Sequence, residues 1–112
     1  MKALDRKLKA FSDERGWGKF HSPKNLAIGL SVEAGELLEL FMWLTEDESR
    51  RLDARTLEKV RDEVGDVTIQ LLNFCRAVGV DPVECAHRKL EVNRKKYPVD
   101  KAFGSAKKYD EL

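Results

Sequence analysis

SVEAGELLELFMW, residues 31–43, sets an oily segment against its own charges. Leu37, Leu38, Leu40, Phe41, Met42 and Trp43 belong in a core, yet Glu33, Glu36 and Glu39 recur every third residue among them. Burying even one unpaired charge is prohibitive, so the stretch needs a compensating partner or a wet side. Residues three apart share a helix face, and no proline interrupts the run. Upstream, Ser22 is suited to cap a helix with Pro23 at its first position. The pattern therefore predicts a helix from Lys24 to about Leu44. Leu26, Ile28, Leu30 and Val32 put apolar groups on more than one of its sides, unlike a helix that faces water. Too little chain is left to cover them, so we expect a second subunit to do so, in an obligate homo-oligomer.

Three more helices are predicted around it. Leu4, Leu8 and Phe11 recur at helical spacing in the first, which should fade near Gly16. The polar stretch TEDESRRLDAR after Leu44 reads as a loop or frayed turn. A third helix is expected over roughly Thr56 to Val78, with Val60, Val64, Val67, Leu71, Phe74 and Val78 as its apolar stripe and Gly79 ending it. Asp81, Pro82 and Glu84 open a fourth with something close to a capping box, and Pro98 stops it after about Lys96. The tail from about residue 98 looks irregular. No linker, repeat or low-complexity stretch divides the chain. The expectation is an all-α fold, a single domain over residues 1–112 built as a compact four-helix bundle and completed by homo-oligomerisation.

With 112 residues, 21 basic against 20 acidic, the formal charge is only +1, so no whole-molecule field favours a nucleic-acid polymer or an acidic membrane. No apolar run approaches the roughly 20 residues of a membrane span. Acidic residues interrupt the N-terminal region where a signal peptide would be apolar, and the expected compartment is the cytoplasm. Cys75 and Cys85 have no CxxC spacing and read as structural thiols.

The acidic residues carry the chemistry. Glu33 and Glu36 project together from the second helix, and Glu63 and Asp66 repeat the spacing in the third. About three or four such pairs are expected by chance at this composition, so spacing alone says little. The neighbours say more: Val32, Ala34, Gly35 and Leu37 surround one pair, Val64, Gly65 and Val67 the other. Each glycine costs about 1 kcal/mol in a helix interior relative to alanine, and small residues let helices or a ligand approach. On antiparallel helices the two pairs would form a four-carboxylate cage. A hard divalent cation resolves its self-repulsion, and an all-oxygen donor set favours Mg²⁺ or Mn²⁺.

The order Glu33-x-x-Glu36, 26 intervening residues, Glu63-x-x-Asp66 resembles the signature of the MazG-like nucleotide pyrophosphohydrolases, in the all-α branch that includes the dCTP pyrophosphatases. ERGWGKFHSPKNL before the acids, ELFMW after the first pair, KLEVNRKKYP and GSAKKY agree with it, from about Phe11 to Leu112. The resemblance implies Mg²⁺-dependent hydrolysis of a (deoxy)nucleoside triphosphate, dCTP or a modified cytosine nucleotide first, to monophosphate and pyrophosphate. It implies that Glu33, Glu36, Glu63 and Asp66 are the catalytic metal ligands, with Glu39 outside them. Lys89, Asn93, Arg94 and Tyr97 match its phosphate-binding block, and Lys107, Lys108 and Tyr109 lie in a tail that would close over the triphosphate. Trp17, His21 and Trp43 would form the nucleobase sandwich, with Asn25 supporting His21. The animal relatives selective for dCTP carry a histidine near Leu8 and a tyrosine near Gln70, so base selectivity is where this chain departs.

Two other readings compete. A di-iron carboxylate bundle needs two Glu-x-x-His pairs, and only Glu84-x-x-His87 is present. A non-catalytic helical interaction module would leave the acids as a solvated or partner-facing surface.

Overall fold

Local signals set most helix boundaries in the computed structural model, which describes all residues, Met1–Leu112. Six α-helices form: α1 (Lys2–Glu14), α2 (Pro23–Glu39), α3 (Glu46–Ser49), α4 (Ala54–Val78), α5 (Pro82–Lys96) and α6 (Val99–Ala102). Short 3₁₀ turns cover Trp17–Phe20 and Tyr109–Glu111, and there is no strand. Ser22 caps α2 by accepting from the Asn25 amide at 3.2 Å. Asp53 caps α4 through the Thr56 amide at 2.7 Å. Gly79 ends α4 at φ 77°, the left-handed conformation that a Cβ disfavours. Asp81 satisfies both the Val83 and Glu84 amides at the start of α5.

Three expectations about these elements need correction. Helix α2 stops at Glu39, and Leu40 to Trp43 form turns, with a bend at Leu44, rather than continuing the helix to Leu44. The polar stretch after it is not simply a loop. Thr45 and Glu48 make a complete capping box, Thr45 N–H donating to Glu48 at 2.9 Å and Glu48 N–H to Thr45 at 3.1 Å, and this nucleates α3. The tail is more ordered than an irregular segment: it contains α6 and a 3₁₀ turn.

The chain divides into two compact units, Met1–Gly79 and Val80–Leu112. In the first, α2 packs along α4, while α1 packs on α4 and on the 3₁₀ turn that follows it. Its buried core is small: Leu26, Leu72 and Cys75, with the polar Ser12 and Asn73. The face of α4 that turns inward centres on Leu72, Asn73 and Cys75, not on the stripe expected from the sequence. Val64, Leu71 and Val78 of that stripe are exposed, as is Leu57. These four lie seven residues apart, so they form a second apolar seam on one side of α4. On α2, Ile28, Val32 and Leu38 are more than half exposed.

In the second unit, α5 leads to a tail that folds back on its end. The Tyr97 and Tyr109 rings meet edge to face at 6.2 Å, and Lys96 Nζ lies 4.6 Å from the Tyr109 ring centre. No helix in either unit is long and apolar enough to cross a membrane.

Because so few side chains are fully enclosed, each matters. Leu72→Ala should destabilise the fold by about 2–5 kcal/mol, read as a lowered urea midpoint at fixed protein concentration. Val99→Ala, at an 80% exposed position, should change stability by no more than about 0.5 kcal/mol in the same measurement.

Candidate functional site

The α2–α4 pair brings all four predicted acids together. One carboxylate oxygen from each of Glu33, Glu36, Glu63 and Asp66 lies within 4.8 Å of the others. The two helices run in opposite directions here: Gly29 faces Gln70, whereas Glu36, further along α2, faces Glu63, earlier on α4. The expected antiparallel cage is therefore formed by i,i+3 pairs on both helices.

Its electrostatics are unfavourable without a counter-ion. Glu33 Oε2 and Glu63 Oε2 are buried and have no hydrogen-bond partner, a costly state for a charged oxygen. Burial raises the pKa of Glu33, followed by its hydrogen bond to Glu36 and the charges of Glu36, Asp66 and Glu63. Burial also raises that of Glu63, followed by the charges of Glu36 and Asp66. The charges acting on Glu33 and Glu63 all come from carboxylates, with no cation among them. Four converging carboxylates with two orphaned oxygens fit a divalent cation held by hard oxygen donors.

Gly35 and Gly65 do not bring the two helices together. A Cβ at either would meet nothing within 4 Å, so the space beside the acids is open. The close approach is at Gly29, where a Cβ would stand 3.0 Å from Gln70 Oε1. Gln70 follows Asp66 by one turn, and Gly29 precedes Glu33 by one turn. The Gln70 carboxamide is thus laid across α2 at the edge of the acid cluster.

Further along the same groove is a cavity of about 190 Å³, lined among others by Ser12, His21, Leu26, Asn73 and Arg76. Ser12 Oγ lies 3.4 Å from His21 Nδ1. Arg76 reaches from α4 to the Asp5 carboxylate of α1 and donates to Asn73 Oδ1 at 2.6 Å. Asn73 and Ser12 were not singled out from the sequence. The spacing Glu63, Asp66, Gln70, Asn73, with steps of three, four and three, is a signal that places Asn73 on the face of the acids.

The expected aromatic sandwich is dispersed within one chain. Trp17 packs edge-on against Phe11, with ring centres 5.6 Å apart. His21 lies just before α2, and Trp43 follows its far end, 87% exposed. The 17 residues of α2 separate them by about 25 Å. Asn25 does not support the imidazole: its Nδ2 donates to the Phe20 carbonyl at 3.1 Å and so holds the backbone leading to His21. Glu39 closes α2 and is exposed, outside the cluster.

In the second unit, Lys89 and Asn93 are one turn apart on α5, and Arg94 pairs with Glu91 at 3.4 Å. Tyr97 is engaged by Tyr109, and Lys108 precedes the terminal 3₁₀ turn. The tail residues are thus tied to the end of α5 by ring contacts. Glu84 and His87, the di-iron remnant, are both exposed on α5.

The fold and the four-carboxylate groove define an all-α acidic helix-pair protein, and comparison with known proteins makes the class specific. The sequence profile of the MazG-like family matches residues 28–112. Human dCTP pyrophosphatase 1 is 38% identical over 104 residues, covering 91% of this chain and 61% of the human protein. The mouse dCTP pyrophosphatase 1 is 37% identical with the same coverage. The chain therefore spans less than two thirds of the length of these relatives. A pyrophosphatase from Archaeoglobus fulgidus is 43% identical, with a TM-score of 0.83 over 88% of this chain and 92% of that one. This chain belongs to the MazG-like family.

The raised pKa values have a signed consequence for the metal-free protein. Carboxylates whose pKa is raised on folding stabilise the fold below their unfolded value of 4.5 and lose that contribution as pH rises through the folded value. Glu63→Gln should therefore gain thermal stability relative to the natural protein between about pH 4 and pH 8 in chelator, with the gain vanishing at the acid end. Added Mg²⁺ should stabilise the natural protein more than the variant at the upper pH. Thermal denaturation across pH, with and without the cation, checks both.

Proposed function

We propose that this protein is a nucleoside triphosphate pyrophosphohydrolase, acting in the cytoplasm, with Mg²⁺ as its cation and Mn²⁺ as a working substitute. The observation that carries this reading is the pair of orphaned, buried oxygens, Glu33 Oε2 and Glu63 Oε2, within a four-carboxylate cluster. The names of the similar proteins, dCTP pyrophosphatase 1 and a pyrophosphatase, support it. The substrate is a deoxynucleoside triphosphate, with dCTP or a modified cytosine nucleotide preferred. Water attacks, the bond from the α-phosphorus to the bridging oxygen breaks, and monophosphate and pyrophosphate leave.

A bound divalent cation lowers the pKa of a coordinated water and offsets charge building on the leaving phosphates. Glu33, Glu36, Glu63 and Asp66 hold it, and the open space beside Gly35 and Gly65 leaves room for the triphosphate. Lys89, Asn93, Arg94, Tyr97 and Lys108 bind phosphates in this reading, as cations and donors gathered on α5 and the tail. The family match over residues 28–112 includes residues of both units, which is in keeping with one functional domain.

A second copy of the chain completes the fold. The exposed seam of Leu57, Val64, Leu71 and Val78 on α4, with Ile28 and Val32 on α2, is too regular and apolar for a solvated surface. A neighbouring copy also explains Trp43, which lies at the wrong end of α2 to reach its own His21. The base sandwich of Trp17, His21 and Trp43 is then shared between copies.

Incubation with individual dNTPs and Mg²⁺ should yield monophosphate and pyrophosphate in equal amounts, with dCTP among the best substrates. Diphosphate plus phosphate would contradict the reading, and no turnover of any nucleotide would favour a non-catalytic interaction module. Glu63→Gln should lower kcat by at least about 100-fold while the oligomer persists in light scattering. Val64→Glu should shift the assembly toward monomer in the same measurement.

A further inference from the structure

We propose that Asn73 is a recognition residue: a fixed hydrogen-bond donor that reads the acceptor edge of a pyrimidine base in the cavity between α1 and α4. This rests on the nucleotide reading above and deepens it. Asn73 is buried, at 8% exposure, and its carboxamide has only one possible orientation. The Arg76 guanidinium can donate but never accept, so the oxygen must face Arg76 Nη2, 2.6 Å away. The NH₂ then points the other way. Nothing in the protein accepts from it, and Asn73 lines the cavity.

The anchor is itself held. Asp5 on α1 binds Arg76 through its carboxylate and its carbonyl, so Arg76 cannot swing away and let the amide rotate. Across the cavity, Ser12, 6% exposed, meets His21. The amide hydrogens open toward the cavity rather than onto a protein acceptor, and a ligand oxygen or ring nitrogen there would take the place of water. At about 190 Å³ the cavity has room for a nucleobase ring.

The distance to the acids fits the same ligand. Asn73 follows Asp66 by seven residues on α4, and Leu26 precedes Glu33 by seven on α2, each about 10 Å along the helix. Gln70, laid over Gly29, lies between the two ends. A base in the cavity therefore leaves its phosphates to extend along the groove toward Glu33 and Asp66. Pyrimidines present O2 and, in cytosine, an unprotonated N3, both acceptors for the Asn73 donor. A base edge that presented only donors at this point would leave the Asn73 NH₂ unmatched.

Asn73→Asp isolates this role. The carboxylate keeps an oxygen on Arg76, so the tie from α4 to α1 survives, while the donor becomes a second acceptor that repels O2. For the preferred pyrimidine nucleotide, KM should rise at least about tenfold with kcat changed far less, because a site built for one hydrogen bond rejects its mismatch. Unchanged KM in a folded variant would overturn the assignment. Titrating the natural protein with deoxycytidine, without triphosphate or metal, gives a readout independent of turnover and of the variant's folding. The Asn73 side-chain NH₂ resonances should shift on addition of deoxycytidine. Resonances unmoved by deoxycytidine, in protein that hydrolyses dCTP, would sink the proposal while leaving the hydrolase reading intact. If no dNTP is hydrolysed, the hydrolase reading fails instead, and the same titration still decides whether Asn73 meets a base.

Discussion

The structure turns on mutual repulsion among four carboxylates that two packed helices force together. Glu33, Glu36, Glu63 and Asp66 crowd one end of the α2–α4 contact, and two of their oxygens are cut off from water and from every donor. The small core, centred on Leu26, Leu72 and Cys75, holds α2 against α4 despite this. Cluster and core act on the same helix pair in opposite senses until positive charge arrives. That tension sits within one segment: the stretch that looked too oily for its charges is oily to support the helix and places its charges where a cation would relieve their repulsion.

Much of this was legible in the sequence because it depends on short-range spacing. The i,i+3 acids, the Ser22 cap with Pro23 and the left-handed Gly79 each express a local rule, and each appears where the pattern placed it. The Thr45–Glu48 capping box obeys an equally local rule and was legible, but was read as part of a charged loop. The end of α2 at Glu39 was harder, since Leu40 to Trp43 have no breaker and continue the apolar composition. Tertiary context decides it there.

What the sequence did not disclose depends on which atoms meet across helices. Gly35 and Gly65 carry the composition of a close contact, yet they face open space, and the contact is at Gly29. The regular stripe on α4 was assigned to the interior, whereas Val64, Leu71 and Val78 are exposed and the polar Asn73 is buried. Periodicity identifies a face but not what covers it, and a helix with apolar groups on two sides has two candidate interiors. The separation of His21 from Trp43, by contrast, was implicit in the helix expected between them, whose length alone sets its two ends far apart.

The Gly29–Gln70 contact carries an evolutionary consequence. With the two backbones held close by the core at Leu26, Leu72 and Cys75, the volume at these two positions is shared: whatever one side chain takes, the other must yield. Relatives with a bulkier ring in place of Gln70 should keep glycine at 29, whereas a shorter residue there would release position 29 to grow. Covariation of the pair, rather than the identity of either alone, is what this shared volume predicts among relatives.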